Sequence, residues 1–167
     1  MKNNIILIGM PGSGKSTVGV ILAKNLGMEF VDTDILIQSS ENRTLQEIVD
    51  SEGHMSLRKI EEEVLVKIDC ENSIVATGGS AAYSDKAMVH LGKIGKIVFL
   101  NAQLSTLRNR IHNYDTRGLA KRPDQSFEDL FQERFNLYKK YADITIDCDI
   151  IDQETTAASI ARQLKMN

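Results

Sequence analysis

A chain of 167 residues that is 42% hydrophobic and 26% charged has the length and composition of one globular domain with a sizeable core. Its net charge of −3 and pI near 5.6 exclude a surface built as a whole for nucleic acid or anionic lipid. Two distant cysteines, Cys70 and Cys148, lack metal-ligand spacing, and no apolar run approaches the roughly 20 residues of a membrane span. The expectation is a cytoplasmic protein with reduced thiols, no signal peptide, no membrane segment and no nucleic-acid partner, acting as a monomer.

In chain order, residues 5–8 are four consecutive aliphatics and predict a buried strand. The next stretch, Gly9-Met10-Pro11-Gly12-Ser13-Gly14-Lys15-Ser16-Thr17, fits G-x-x-x-x-G-K-[ST], and helical spacing begins at once with Val18, Ile21, Leu22 and Leu26. Strand, glycine loop and helix in this order form a phosphate-binding loop. Glycines let backbone N–H groups turn towards phosphate oxygens, and the helix adds its positive end. Gly9, Gly12, Ser13, Gly14, Lys15, Ser16 and Thr17 are therefore the nucleotide-binding residues, with Lys15 on the β/γ-phosphates and Ser16 offering a hydroxyl to Mg²⁺.

Gly27 ends the helix, and residues 28–31 read as a second strand closing on Asp32-Thr33-Asp34. A helix over 35–40 follows, then one from the Thr44 cap with Glu47 three residues on, a capping-box pattern. After Gly53, Leu57, Ile60, Val64, Leu65 and Ile68 mark an amphipathic helix. Residues 73–77 make a third strand ending on Gly78-Gly79-Ser80, 84–91 a helix, and 96–100 a buried strand. Leu104, Leu107 and Ile111 give the next helix. Residues 113–125 are polar and aperiodic, and read as a mobile loop. Ser126 caps a helix with Phe127, Leu130, Phe131, Phe135 and Tyr138 along one side. Residues 143–147 alternate as a fifth strand, and 154–165 form the last helix. Strands alternating with helices predict an α/β fold: a five-stranded, mostly parallel sheet covered on both faces. Ligands then bind at the carboxyl ends of the strands, where the glycine loop, Asp32/Asp34 and Gly78/Gly79 would face one crevice.

Were the chain still extended at Asp32 and Asp34, both would point to one side, one serving a metal and the other an acceptor hydroxyl. The other reading is a helix N-cap, and the two are not exclusive, because a capping carboxylate can also be a ligand. Arg58 has two readings as well: a surface ion pair with Glu61 or Glu62, or a guanidinium aimed at a substrate carboxylate and held by Glu61. Gly78-Gly79 is either a close backbone approach to a ligand or a plain turn. Residues 103–122 carry a local charge of +4, leaving −7 for the remainder, which suits a cationic lid over polyphosphate. Arg117 in that loop reads either as an arginine finger or as part of a solvated basic loop. Arg134 either reaches the acceptor site or lies on a solvated helix face. His54, His90 and His112 have no ligand-like spacing and read as surface residues.

Taken together, Gly9 to Thr17, Phe30-Val31-Asp32-Thr33-Asp34, Glu52-Gly53 with Leu57-Arg58 and Glu61, Ala76-Thr77-Gly78-Gly79, and Glu133-Arg134 with Leu137-Tyr138 resemble the shikimate kinase family. The resemblance implies a single P-loop kinase domain of nucleoside monophosphate kinase-like architecture over 1–167, with an acceptor-binding helical segment at about 33–62 and a lid at about 112–125. It implies transfer of the ATP γ-phosphate to the 3-hydroxyl of shikimate. Lys15, Asp34 and Arg117 would be catalytic, Ser16 and Asp32 would hold Mg²⁺, and Arg110 would pack on adenine. Asp34, Arg58, Gly78, Gly79 and Arg134 would bind the acceptor. The sequence departs from the family pattern at Ser80, where a third glycine is usual, at Arg117-Gly118-Leu119-Ala120, where Arg-Pro-Leu-Leu is usual, and at Phe135-Asn136. Ser80 should alter the acceptor pocket wall, and Gly118 should make the lid looser in its open state. The alternatives are a kinase of the same fold acting on another hydroxy acid or sugar acid, and a non-enzymatic nucleotide-binding protein. A GTPase would carry Asn-Lys-x-Asp, which this sequence lacks.

Overall fold

Strand β1 (Asn4–Ile8) is buried along its whole length because it has a parallel neighbour on each side and helices over both faces. The computed structural model describes residues 3–111, 118–149 and 151–166. With β2 (Glu29–Asp32), β3 (Ser73–Ala76), β4 (Gly95–Asn101) and β5 (Ile144–Asp147), it forms a sheet of order β2-β3-β1-β4-β5. Every pairing in that sheet is parallel. Ile5 lies opposite Ile74 and Lys96, and Leu7 opposite Ala76 and Val98. The two-residue period sends Ile6 and Ile8 into one core with Val75, Ile97 and Phe99. It sends Ile5 and Leu7 into the other with Ile74, Val98 and Leu100. Burial on both faces is why β1 reads as an unbroken aliphatic run.

Helices α1 (Lys15–Leu26) and α8 (Gln153–Met166) cover the second face. The first is covered by α4 (His54–Leu65), α5 (Asp85–Ile94), α6 (Leu104–Arg110) and α7 (Phe127–Tyr141). A smaller cluster of Ile37, Ile48, Leu57 and Ala120 joins α2 (Thr33–Glu41), α3 (Leu45–Glu52) and α4 to the segment after residue 117. The anticipated starts hold: Thr44 and Glu47 form a full capping box, as do Ser126 and Asp129, and Ser84 caps α5. One boundary is corrected: helix α4 stops at Leu65, short of Ile68. A 3₁₀ turn, Ala81–Tyr83, fills the stretch before α5. The expected mobile loop falls partly on residues 112–117, which lie outside the described residues; of the rest, Gly118, Ala120 and Gln125 are buried and residues 122–124 are exposed.

The chain runs from β1 outward to β2, returns to β3, then crosses β1 to β4. The direction of winding changes beside β1, and this is where open α/β sheets place ligands.

Candidate active site

The glycine loop leaves β1 and enters α1 through Gly14, whose φ of 95° is left-handed. No side chain caps α1, and its first turn holds no acidic residue, so its positive end faces the crevice. The Lys15 ammonium donates to the carbonyls of Gly9 (2.8 Å) and Met10 (2.9 Å). Burial lowers its pKa to about 8, with the Asp34 carboxylate opposing the shift. Ser13 is buried, and its Oγ has no hydrogen-bond partner among the described residues.

Asp32 does two things. Its Oδ2 accepts from Ser16 Oγ at 2.6 Å, and its Oδ1 caps α2 by accepting from the amides of Asp34 (3.0 Å) and Ile35 (3.4 Å). The cap turns the chain helical at Thr33, so the extended alternation considered for Asp32 and Asp34 does not occur. Asp34 sits in the first turn of α2 and faces the crevice, whereas Asp32 is turned to Ser16. Thr33 Oγ1 accepts from the Gly78 amide at 3.1 Å and fastens α2 to the end of β3.

A cavity of about 370 Å³ lies over the strand ends. Gly12, Gly14, Lys15, Ser16 and Thr17 line one side, and Asp34, Glu61, Gly78, Gly79 and Arg134 the other. Ser80, Arg110, Leu119 and Ala120 also line it. Gly9, Ser13, Asp32 and Arg58 do not line it. The plain-turn reading of the glycine pair is insufficient: a Cβ on Gly78 would strike Glu61 Oε1 and lie 2.7 Å from Asp34 Oδ1, and one on Gly79 would lie 2.7 Å from Arg134 Nη1.

Arg134 is only 1% exposed, which removes the solvated-face reading. Its Nη2 and that of Arg58 each donate at 3.0 Å to one oxygen, the Ala120 carbonyl. Both Nε atoms have no hydrogen-bond partner among the described residues. Arg58 is not held by Glu61 as expected. Its guanidinium stacks 3.5 Å from the Tyr83 ring centre and borders a neighbouring cavity of about 340 Å³. Glu61 instead accepts from Ser80 Oγ, so the hydroxyl of Ser80 is turned onto a buried carboxylate in the pocket wall. Burial and the nearby Asp34 charge raise the Glu61 pKa to about 7, against the Ser80 bond and the Arg134 and Lys15 charges.

Gly118 is packed in this structure. It has φ +63°, its N–H donates to Gln46 Oε1 at 2.7 Å, and a Cβ there would lie 2.6 Å from the Leu45 and Gln46 backbone. Proline would lose the donor and the left-handed φ. Arg110 is exposed at the end of α6 and donates to the Cys148 carbonyl at 3.1 Å. Arg117 and His112 lie outside the described residues. His54 and His90 are partly exposed, with His90 Nε2 2.8 Å from the Ile68 carbonyl. Both cysteines are free, and burial raises the Cys148 thiol to about 11.

Sequence reasoning missed Tyr83, Gln125 and the role of Glu133. Glu133 accepts from the Tyr83 hydroxyl, from Gln125 Nε2 (3.0 Å) and from Arg122 Nη1 (3.4 Å).

A family model described as shikimate kinase matches residues 11–165. The shikimate kinase of Sulfurihydrogenibium sp. strain YO3AOP1 is 38% identical over 147 residues, 87% of this chain and 88% of the relative. That of Rippkaea orientalis is 39% identical over 164 residues, 96% of this chain and 85% of the relative. The solved shikimate kinase from Acinetobacter baumannii in complex with shikimate aligns with a TM-score of 0.92 at 30% identity, covering 100% of this chain and 95% of that one. A thymidylate kinase from Candida albicans, at 18% identity and TM-score 0.59, shares the fold alone.

Proposed function

The chain belongs to the shikimate kinase family, ATP-dependent phosphotransferases, and from that membership we propose how its residues divide the work. The γ-phosphoryl group of ATP passes to the 3-hydroxyl of shikimate. A bond forms between the hydroxyl oxygen and phosphorus, the bond to the β–γ bridging oxygen breaks, and the proton goes to Asp34, which also orients the hydroxyl. The loop amides and Lys15 hold the phosphates. Arg110 packs on adenine, and Arg117 adds positive charge to the transferring group.

Mg²⁺ fits Ser16 and Asp32. Both offer hard oxygen donors, already 2.6 Å apart beside the glycine loop. When bound, the ion neutralises charge on the β- and γ-phosphate oxygens. Arg58 and Arg134 grip the acceptor carboxylate, and Gly78 and Gly79 admit the acceptor to the backbone. Segment 33–62 carries the acceptor side and 112–125 the lid, whose closure excludes water from the transfer. The enzyme works as a cytoplasmic monomer with no nucleic-acid or membrane partner. Among the described residues no helix is long and apolar enough to cross a membrane.

The observation that carries this reading is the convergence of two guanidinium groups, each 3.0 Å from the same oxygen, across the strand ends from the phosphate loop. A carboxylate-bearing acceptor explains why two like charges are brought together there. Coupled ADP release with ATP and Mg²⁺ tests it. Saturable stimulation by shikimate is expected. Silence with shikimate and a response to another hydroxy acid or sugar acid would overturn the acceptor assignment.

A further inference from the structure

The Arg58 guanidinium sits on a flexible stem near a second guanidinium, and something must hold it there. A carboxylate partner would occupy the N–H edges and neutralise the charge, leaving less for a ligand. The Tyr83 ring brings no charge. The Arg58 guanidinium carbon lies over it, 3.5 Å from the ring centre, and the Arg134 guanidinium carbon lies 5.4 Å from the same centre. In that stacked position Arg58 Nη2 still reaches the oxygen it shares with Arg134. The ring is itself anchored, because its hydroxyl donates to Glu133, which also accepts from Gln125 and Arg122 of the 118–125 segment. Burial and the Glu133 bond keep the phenol protonated above its usual range, so it remains a donor.

We propose that Tyr83 is a positioning residue for acceptor recognition, its ring holding the Arg58 guanidinium beside Arg134 and its hydroxyl tying that stack to the 118–125 segment through Glu133. This rests on the reading of Arg58 and Arg134 as the carboxylate grip.

The test measures KM for shikimate, KM for ATP and kcat in Tyr83→Leu, Tyr83→Phe and Arg58→Ala, with Tyr83→Met as a second ring deletion should Tyr83→Leu fold poorly by thermal melt. Losing the stack should raise the shikimate KM about 3- to 30-fold, with the ATP KM and saturating kcat within about twofold. Tyr83→Phe, which keeps the ring, should recover most of the loss. In an Arg58→Ala background, Tyr83→Leu should add little, because it acts through Arg58. An unchanged or lowered shikimate KM in both ring deletions, or the full factor persisting without Arg58, overturns the proposal. If Arg58→Ala itself leaves the shikimate KM unchanged, the carboxylate reading falls first and this one with it. If only the ring deletions are silent, this one falls alone.

Discussion

Replacing Arg134 by methionine separates recognition from architecture. Methionine fills comparable space without charge or donors. The Ala120 carbonyl keeps the Arg58 donor at 3.0 Å, so that acceptor is not orphaned. What disappears is one cation of the proposed pair. A hydrogen bond to a charged partner contributes about 1.5–3 kcal/mol, which is about 10- to 150-fold in the shikimate KM. The ATP KM should hardly move, because Lys15 and the loop amides are unchanged. Arg134→Lys keeps the charge but loses the planar fork, so it should recover only part. Removing this cation also takes away a restraint on Glu61, whose pKa should rise further. Steady-state ADP release across shikimate concentrations measures the effect, with a melting curve as control. A shikimate KM within twofold of the parent, or equal losses for both substrates, would refute the reasoning.

Two further outcomes follow from the same charges. Lys15→Met should abolish transfer in a single-turnover assay while the melting temperature holds or rises, since a buried ammonium with a lowered pKa is removed; retained turnover would sink the phosphate-loop reading. Glu61 is raised from 4.5 to about 7, so as pH rises the unfolded chain releases this proton first. Its contribution to stability is therefore complete below pH 4.5 and lost across 4.5–7, by about 3 kcal/mol. Glu61→Gln should flatten the fall in melting temperature between pH 5 and 7.5, and an unaltered slope would count against a buried, titrating Glu61.

The phosphate loop was legible because four fixed residues within eight positions are followed by a helix that no side chain caps. The first, third and fourth strands were legible from aliphatic runs and the fifth from alternation, apart from end residues. The burial of two charged groups was written in the spacing but went unread. Leu130, Arg134 and Tyr138 are four apart on the buried face of α7, and Leu57, Glu61 and Leu65 repeat the pattern on α4. A charged residue inside a four-spaced apolar row is the signal that could have found them. Tyr83 left no such trace. It lies in a three-residue 3₁₀ turn too short for any period, and its partners are contributed by residues 58 and 133. Asp32 shows a different limit, since its cap and its bond to Ser16 both use ordinary local chemistry, and only three-dimensional placement reveals that one carboxylate serves both.

The oxygen that joins the two guanidinium groups belongs to the main chain of Ala120. Substitution at that position changes what surrounds the contact but never deletes it, and an alanine scan passes over the position because the residue is alanine already. A functional map assembled from side-chain truncations would therefore leave blank the point at which Arg58 and Arg134 meet the 118–125 segment.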